Sequence, residues 1–195
     1  MFIDHTFAPS AGCGSSRINR IMLEAAAFLG VLDESDIEWL VANSKQHDVE
    51  AGSVLIRRAE PVECLYLIVD GAFKVTVFAP EERHIATLYA GELAGEMSFV
   101  DMHPPSATVT AGMKSSVLAV SKSALNDKIQ MDSGFGARFY KGVSVLLAGR
   151  LRAAYNVGRP AHREHEEKVE LGILEIRFEE IERRLGLRRV RIQGV

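Results

Sequence analysis

The run G-E-L-A-G-E-M-S-F-V-D-M-H-P-P-S-A-T-V-T-A, from Gly91 to Ala111, lies between two alternating stretches and decides how the region around it is read. Gly91 and Gly95 suit a tight turn and a close backbone approach, because glycine has no Cβ to obstruct either. Glu96 follows at once, and Met97-Ser98-Phe99-Val100 is long enough for one helical turn, whose first free amides can hold an anion. Ser106 and Thr108 add hydroxyl donors. A strand-rich domain that inserts a one-turn helix where a hairpin would suffice is building a small pocket. In the plainer reading Glu96 is a surface carboxylate and the glycines only turn the chain.

Working outward, Val49 to Val120 offers short apolar or alternating stretches broken by turn residues every eight to twelve positions. Val54-Leu55-Ile56 comes first and breaks at Ala59-Glu60-Pro61. Leu65 to Val69 reads as a buried strand stopped by Asp70-Gly71. Phe73, Val75 and Val77 alternate with Lys74 and Thr76, so this strand shows one face to water. Pro80-Glu81-Glu82 turns the chain into Ile85–Tyr89, and Ala107–Ala111 and Val117–Val120 supply two more strands. No intervening segment can serve as a crossover helix, so the pattern predicts an antiparallel sandwich or jelly roll.

Helices flank this region. Residues 1–17 hold Pro9, Ser10, Gly12, Gly14, Ser15 and Ser16 and read as a flexible N-terminal arm; 18–45 reads as N-terminal helices, the second capped by Asp33. After the strands of 46–120, the segment 121–158 turns helical. Phe135, Phe139, Val143, Leu146, Leu147 and Leu151 recur at three- and four-residue steps, with Arg138, Lys141, Arg150 and Arg152 largely off that stripe. Gly142 and Gly149 each cost a helix about 1 kcal/mol relative to alanine, so this one needs tertiary or partner contacts. In the tail, 159–195, Leu171, Leu174, Phe178, Ile181 and Leu185 suit an amphipathic helix or short coiled coil, while Val169, Leu171 and Ile173 suit a strand equally well.

Composition narrows the function. The 195 residues are 47% hydrophobic and carry a formal charge of -3, which argues against polyanion binding by the whole surface. No run of 18 apolar residues or signal-peptide pattern is present, so a cytoplasmic chain with no membrane association is expected. Cys13 and Cys64 form no metal-ligand cluster, and His162, Glu164, His165 and Glu166 sit in a charged stretch without the H-E-x-x-H spacing, so no metal is expected. Asp101 and His103 lack a nucleophile, and neither a Walker phosphate loop nor a dinucleotide fingerprint occurs, so no enzyme is expected.

Gly52-Ser53-Val54-Leu55-Ile56, Leu65 to Gly71, Gly95-Glu96-Met97-Ser98-Phe99 and Ser106-Ala107-Thr108-Val109, in that order, resemble the cyclic nucleotide-binding domain of catabolite activator/Fnr-type regulators, kinases and gated channels. The resemblance spans Phe28 to Tyr155 and implies a mainly β fold with flanking helices: a jelly-roll β-barrel (double-stranded β-helix) followed by a long C-terminal helix. It also implies a phosphate-binding cassette over 91–109, with a ligand site at Gly95, Glu96, Met97, Ser98, Pro105, Ser106 and Ala107. In the family the glutamate accepts a ribose 2′-hydroxyl, amides of the short helix face the cyclic phosphate, and an arginine before the Ser-Ala-Thr-Val segment pairs with it. Here Pro105 stands in the arginine's place, so ordinary cyclic AMP binding is disfavoured and the cup is expected to hold Glu96 with no guanidinium opposite. At the base position the resemblance places Ala154 and Tyr155. It makes the long helix a homodimer seam through Phe139, Val143, Leu146, Leu147 and Leu151.

Two functions follow as expectations. The first is a stand-alone regulatory module that senses a cyclic nucleotide or another small polar ligand and signals through its C-terminal helices. The second is a degenerate, non-binding barrel that serves as a dimerisation or protein-interaction scaffold. The resemblance implies no cofactor beyond such a ligand. The segment after Tyr155 is too short and too glutamate-rich for a winged DNA-binding domain, so no specific DNA binding is expected, and a partner protein is assigned to 159–195.

Overall fold

The computed structural model describes residues 28–78, 80–154 and 183. The arm at 1–17, most of the first expected helix, Tyr155 and the 159–195 tail lie outside the described residues, Arg183 excepted.

Asp33 begins helix α1 (Glu34–Ala42) with a reciprocal cap: its carboxylate accepts the Asp36 amide at 2.9 Å, and the Asp36 carboxylate accepts the Asp33 amide at 3.0 Å. The strands then follow as β1 (Ser44–Val49), β2 (Val54–Ile56), β3 (Cys64–Asp70), β4 (Ala72–Phe78), β5 (Glu82–Tyr89) and β6 (Leu93–Ala94). The five-residue helix α2 (Glu96–Val100) precedes β7 (Thr108–Ala111) and β8 (Ser115–Ser121). Helix α3 (Lys122–Met131) is capped by the Ser121 hydroxyl, and α4 (Ser133–Ala154) ends the continuous described chain.

The strands form two four-stranded antiparallel sheets, ordered β1-β8-β3-β6 and β2-β7-β4-β5. One core lies between them, around Ile56, Ile68, Phe73, Val109 and Val117. A second joins the β8–β3 face to the helices through Leu67, Leu118, Phe28, Ile37, Phe99, Phe135, Phe139 and Leu146. Alternation explains both: in β3, Leu67 and Val69 turn to the helical core while Ile68 turns to the other sheet.

This corrects the expected fold class. Helices take about as much of the described chain as strands, so the fold is mixed β/α rather than mainly β. The sheets are not closed into a jelly-roll barrel either, since no strand ladder joins one to the other among the described residues. The reason lies at the edges. β6 has two residues and β2 three, too short to carry pairing around a corner, and β1 (S-K-Q-H-D-V) turns its central polar side chains to water.

Helix α4 is fixed across this assembly. Near its start the Arg138 guanidinium reaches Asp36 at 2.6 and 2.8 Å and Asp33 at 3.0 Å. At Gly142 an added Cβ would lie 2.9 Å from the Phe28 ring and 3.2 Å from its carbonyl oxygen, so this glycine permits the close approach of α4 to Phe28.

Candidate functional site

The turn between β5 and β6 is pinned to β3. The Gly91 amide donates to the Ile68 carbonyl at 2.8 Å, and the Ile68 amide donates to the Glu92 carbonyl at 3.0 Å. The Glu92 carboxylate, only 2% exposed, accepts the Tyr89 amide at 2.8 Å. β6 then pairs Leu93 and Ala94 with Leu67 and Tyr66. Gly95 takes φ 90, and a Cβ there would lie 3.1 Å from the Cys64 carbonyl; a left-handed turn against β3 thus requires glycine. The turn aims α2 so that Phe99 packs edge-on against Phe139 of α4 and stacks on Tyr140.

Glu96, the first residue of α2, is 4% exposed. A carboxylate so buried requires a counter-charge, and α4 supplies it from 54 residues away. Arg150 Nη1 donates to Glu96 Oε1 at 2.5 Å, while Nη2 donates to the Leu93 carbonyl at 2.8 Å and approaches Glu92 Oε1 at 3.4 Å. The expected absence of a guanidinium opposite Glu96 is therefore corrected: Arg150 stands there. Its polar position off the apolar stripe of α4 was the available signal, and the buried acid was what it answered. Among the described residues, the pair thus leaves Glu96 Oε2 and the buried Arg150 Nε without a hydrogen bond.

At the other end of α2, Lys122 donates to the Ser98 carbonyl at 3.0 Å, and burial pushes this ammonium's pKa down. Ser98 is buried and Met97 is half exposed. Across the connecting loop Pro105 and Ala107 are half-buried and Ser106 is exposed. No hydrogen bond or ion pair joins these three side chains to Glu96 among the described residues. The Pro105 carbonyl instead accepts the Ala59 amide at 2.8 Å, and Thr108 Oγ1 accepts the Arg58 amide at 3.2 Å. His103 is exposed and turns to Asp101, 3.6 Å away. Ala154 contributes only its helical backbone to the described structure.

Of the residues expected along a dimer seam, Phe139, Val143 and Leu146 are at most 2% exposed and lie in the chain's own core. Leu147 is partly buried against that core, and Leu151 is 59% exposed, with Tyr140 and Val145 also exposed on α4. Among the described residues no group of three His, Cys, Asp or Glu side chains is placed to hold a metal ion, and no helix is long and apolar enough to cross a membrane.

Residues 46–132 match the model of the cyclic nucleotide-binding domain. A cyclic nucleotide-gated potassium channel of Rhizobium etli is 39% identical over 72 residues, which are 37% of this chain and 19% of the channel, so the match spans about a fifth of that relative. Among solved structures, a cyclic nucleotide-binding domain from Methylobacillus flagellatus superposes with a TM-score of 0.63 at 23% identity, covering 74% of this chain and 84% of that one. The catabolite activator protein of Thermus thermophilus gives a TM-score of 0.57 at 21% identity, over 83% and 86% of the two chains.

Proposed function

We propose that this chain, which carries a domain of the cyclic nucleotide-binding family over residues 46–132, senses a cyclic nucleotide or a similar small polar ligand in the cup at Gly95–Ser98 and signals through α4. The family is a regulatory one, and no catalytic step is assigned to it. The observation that carries the reading is the Arg150–Glu96 pair, which ties the cup to the last turns of the helix that would report on it. Glu96 Oε2 is the acceptor for a ligand hydroxyl, and Arg150 fixes the carboxylate that offers it. A ligand that adds a bond at Glu96 shifts the position or rigidity of α4, provided it binds one arrangement better than the other.

Cyclic AMP in the family's usual manner is disfavoured. Pro105 has neither charge nor amide to offer a phosphodiester, and Arg150 already serves two carboxylates and a carbonyl. Charge-assisted hydrogen bonds are worth about 1.5–3 kcal/mol each, so a missing two-point grip weakens binding by roughly a hundredfold or more. Calorimetric titration with cyclic AMP, cyclic GMP and cyclic dinucleotides tests the reading. Saturable heat from one of them, with altered amide exchange in α4, supports it; no heat from any up to millimolar concentration overturns it.

Pro105 favours a second reading, a non-binding scaffold, for which silence in all three titrations is the expected result. In either reading self-association runs through the exposed part of α4, at Tyr140, Val145 and Leu151, and the charged 159–195 segment is assigned to a partner protein.

A further inference from the structure

We infer that Lys122 is the positioning residue of the cup: it clamps the carbonyl end of α2 and so fixes how Glu96, at the other end, meets a ligand. The inference rests on the reading that a ligand binds at Gly95–Ser98. A helix of five residues has too few internal bonds to hold its own direction. The Phe99 amide donates to the Gly95 carbonyl at 3.1 Å, and the Asp101 amide donates to the Met97 carbonyl at 2.9 Å. The chain then leaves through Met102, whose φ of 58 ends the helix. The carbonyl of the buried Ser98 is taken from outside, by Lys122 Nζ at 3.0 Å.

Lys122 stands at the wrong end of its own helix. It is the first residue of α3, whose first turn holds no acidic residue, and a cation there opposes the positive end of the helix dipole. Its side chain reaches instead to the carbonyl end of α2, which has no basic residue in its own last turn and where a cation is favoured. Burial pushes the ammonium's pKa down, and the nearby Glu63, Asp101 and Cys64 oppose that. A desolvated cation held against the preference of one helix, to serve another, marks a contact that local structure alone does not explain.

The backbone gives this clamp a rigid base. The Lys122 amide donates to the Glu63 carbonyl at 2.9 Å, and the next carbonyl, of Cys64, is the one that a Cβ at Gly95 would approach to 3.1 Å. The start of β3 thus backs both ends of α2. Gly95 lies directly against it, and Ser98 is tied to it through Lys122. Arg150 holds the Glu96 side chain from α4, whereas Lys122 holds the backbone that aims it.

The test compares wild type, Lys122→Met and Lys122→Arg by amide hydrogen exchange of the ligand-free full chain and by calorimetry. Methionine keeps a long stem without the ammonium, and arginine keeps a cation. Lys122→Met is expected to speed exchange at the Phe99 and Asp101 amides roughly tenfold, the loss of one charge-assisted hydrogen bond. Leu67 and Leu118, paired in the β3–β8 ladder, should keep their rates. The calorimetric probe is whichever of cyclic AMP, cyclic GMP and cyclic dinucleotides gives saturable heat. Lys122→Met is expected to lose the preference for it over its 2′-deoxy analogue, and Lys122→Arg to restore both readouts. Unchanged exchange in α2, or equally faster exchange in the ladder, overturns the inference and leaves the proposed function standing. A 2′-hydroxyl preference that survives Lys122→Met does the same. No heat from the wild-type protein with any of the nucleotides at millimolar concentration, or no such preference in it, overturns the reading of the cup, and this inference with it.

Discussion

Arg150, one turn before the end of α4, and Glu96, the first residue of α2, form an ion pair that closes the cup from the helix side. Both carboxylates it serves are at most 4% exposed. Removing one partner of such a pair strands the other in a low-dielectric site. Arg150→Ala is therefore expected to cost about 3 kcal/mol, because Glu92 and Glu96 lose their shared cation. Adding Glu96→Gln to that variant should recover part of the loss. Urea unfolding of both single variants and the double one reads this coupling, and strictly additive losses would show that the pair is energetically idle.

Arg138 does comparable work at the other end of α4. Asp36 is 1% exposed and takes two hydrogen bonds from that guanidinium. Arg138→Lys keeps the charge but not the two-point geometry. It is expected to lower stability by about 1–2 kcal/mol in denaturant melts, and an unchanged midpoint would contradict this assignment.

Two helical glycines should respond to alanine with opposite signs. A methyl group added at Gly149 would enter open space, with nothing within 4 Å, so Gly149→Ala gains the helix-propensity difference of about 1 kcal/mol. At Gly142 the same methyl would meet the Phe28 ring at 2.9 Å. Overpacking there outweighs propensity, and a net loss of about 1 kcal/mol is expected. Thermal melts of the two variants decide it.

Acid should loosen the cap of α1. Asp33 is held below its ordinary pKa of 3.8, first by the Asp36 amide and then by the Ser35 hydroxyl. A carboxyl depressed in the folded state contributes stability that is complete above its unfolded pKa and is lost as pH falls through the folded value. Asp33→Ala should therefore narrow its gap to wild type as pH drops from about 5 through the acid range below about 3.8. A gap independent of pH would assign the cap's contribution to something other than the ionised carboxylate.

If the proposed self-association runs through the exposed part of α4, Leu151→Glu should shift the sedimentation mass toward monomer while leaving the melting temperature within a few degrees. An unchanged dimer mass places the seam elsewhere.

Much of this architecture is legible in the sequence because it is written in local periodicity. β4 alternates, β3 is continuously apolar between turn residues, and α4 carries Phe135, Phe139, Val143 and Leu146 at helical steps. β1 is not legible: S-K-Q-H-D-V has no apolar face and becomes a strand through its pairing with β8, an interaction some 70 residues away. Barrel closure is over-predicted for a related reason, since strand pattern says nothing about where ladders stop. The cassette's Gly95-Glu96 step can be read from the chain, but its counter-ion cannot. Arg150 looks like any polar residue off a helix's apolar stripe until the fold brings it to Glu96. The buried faces of Phe139 and Val143 show the converse limit: an apolar stripe announces burial without saying whether the same chain or a second copy provides it.

The account turns on Glu96 Oε2 accepting a hydroxyl from a bound ligand. The most direct measurement is a calorimetric comparison of the cyclic nucleotide that gives saturable heat, among cyclic AMP, cyclic GMP and cyclic dinucleotides, with its 2′-deoxy analogue on the wild-type protein. The expected result is saturable binding of that nucleotide and at least tenfold weaker binding of the analogue, since a buried carboxylate left without its donor loses about 1.5–3 kcal/mol. Equal affinities, or no binding of either, would contradict it.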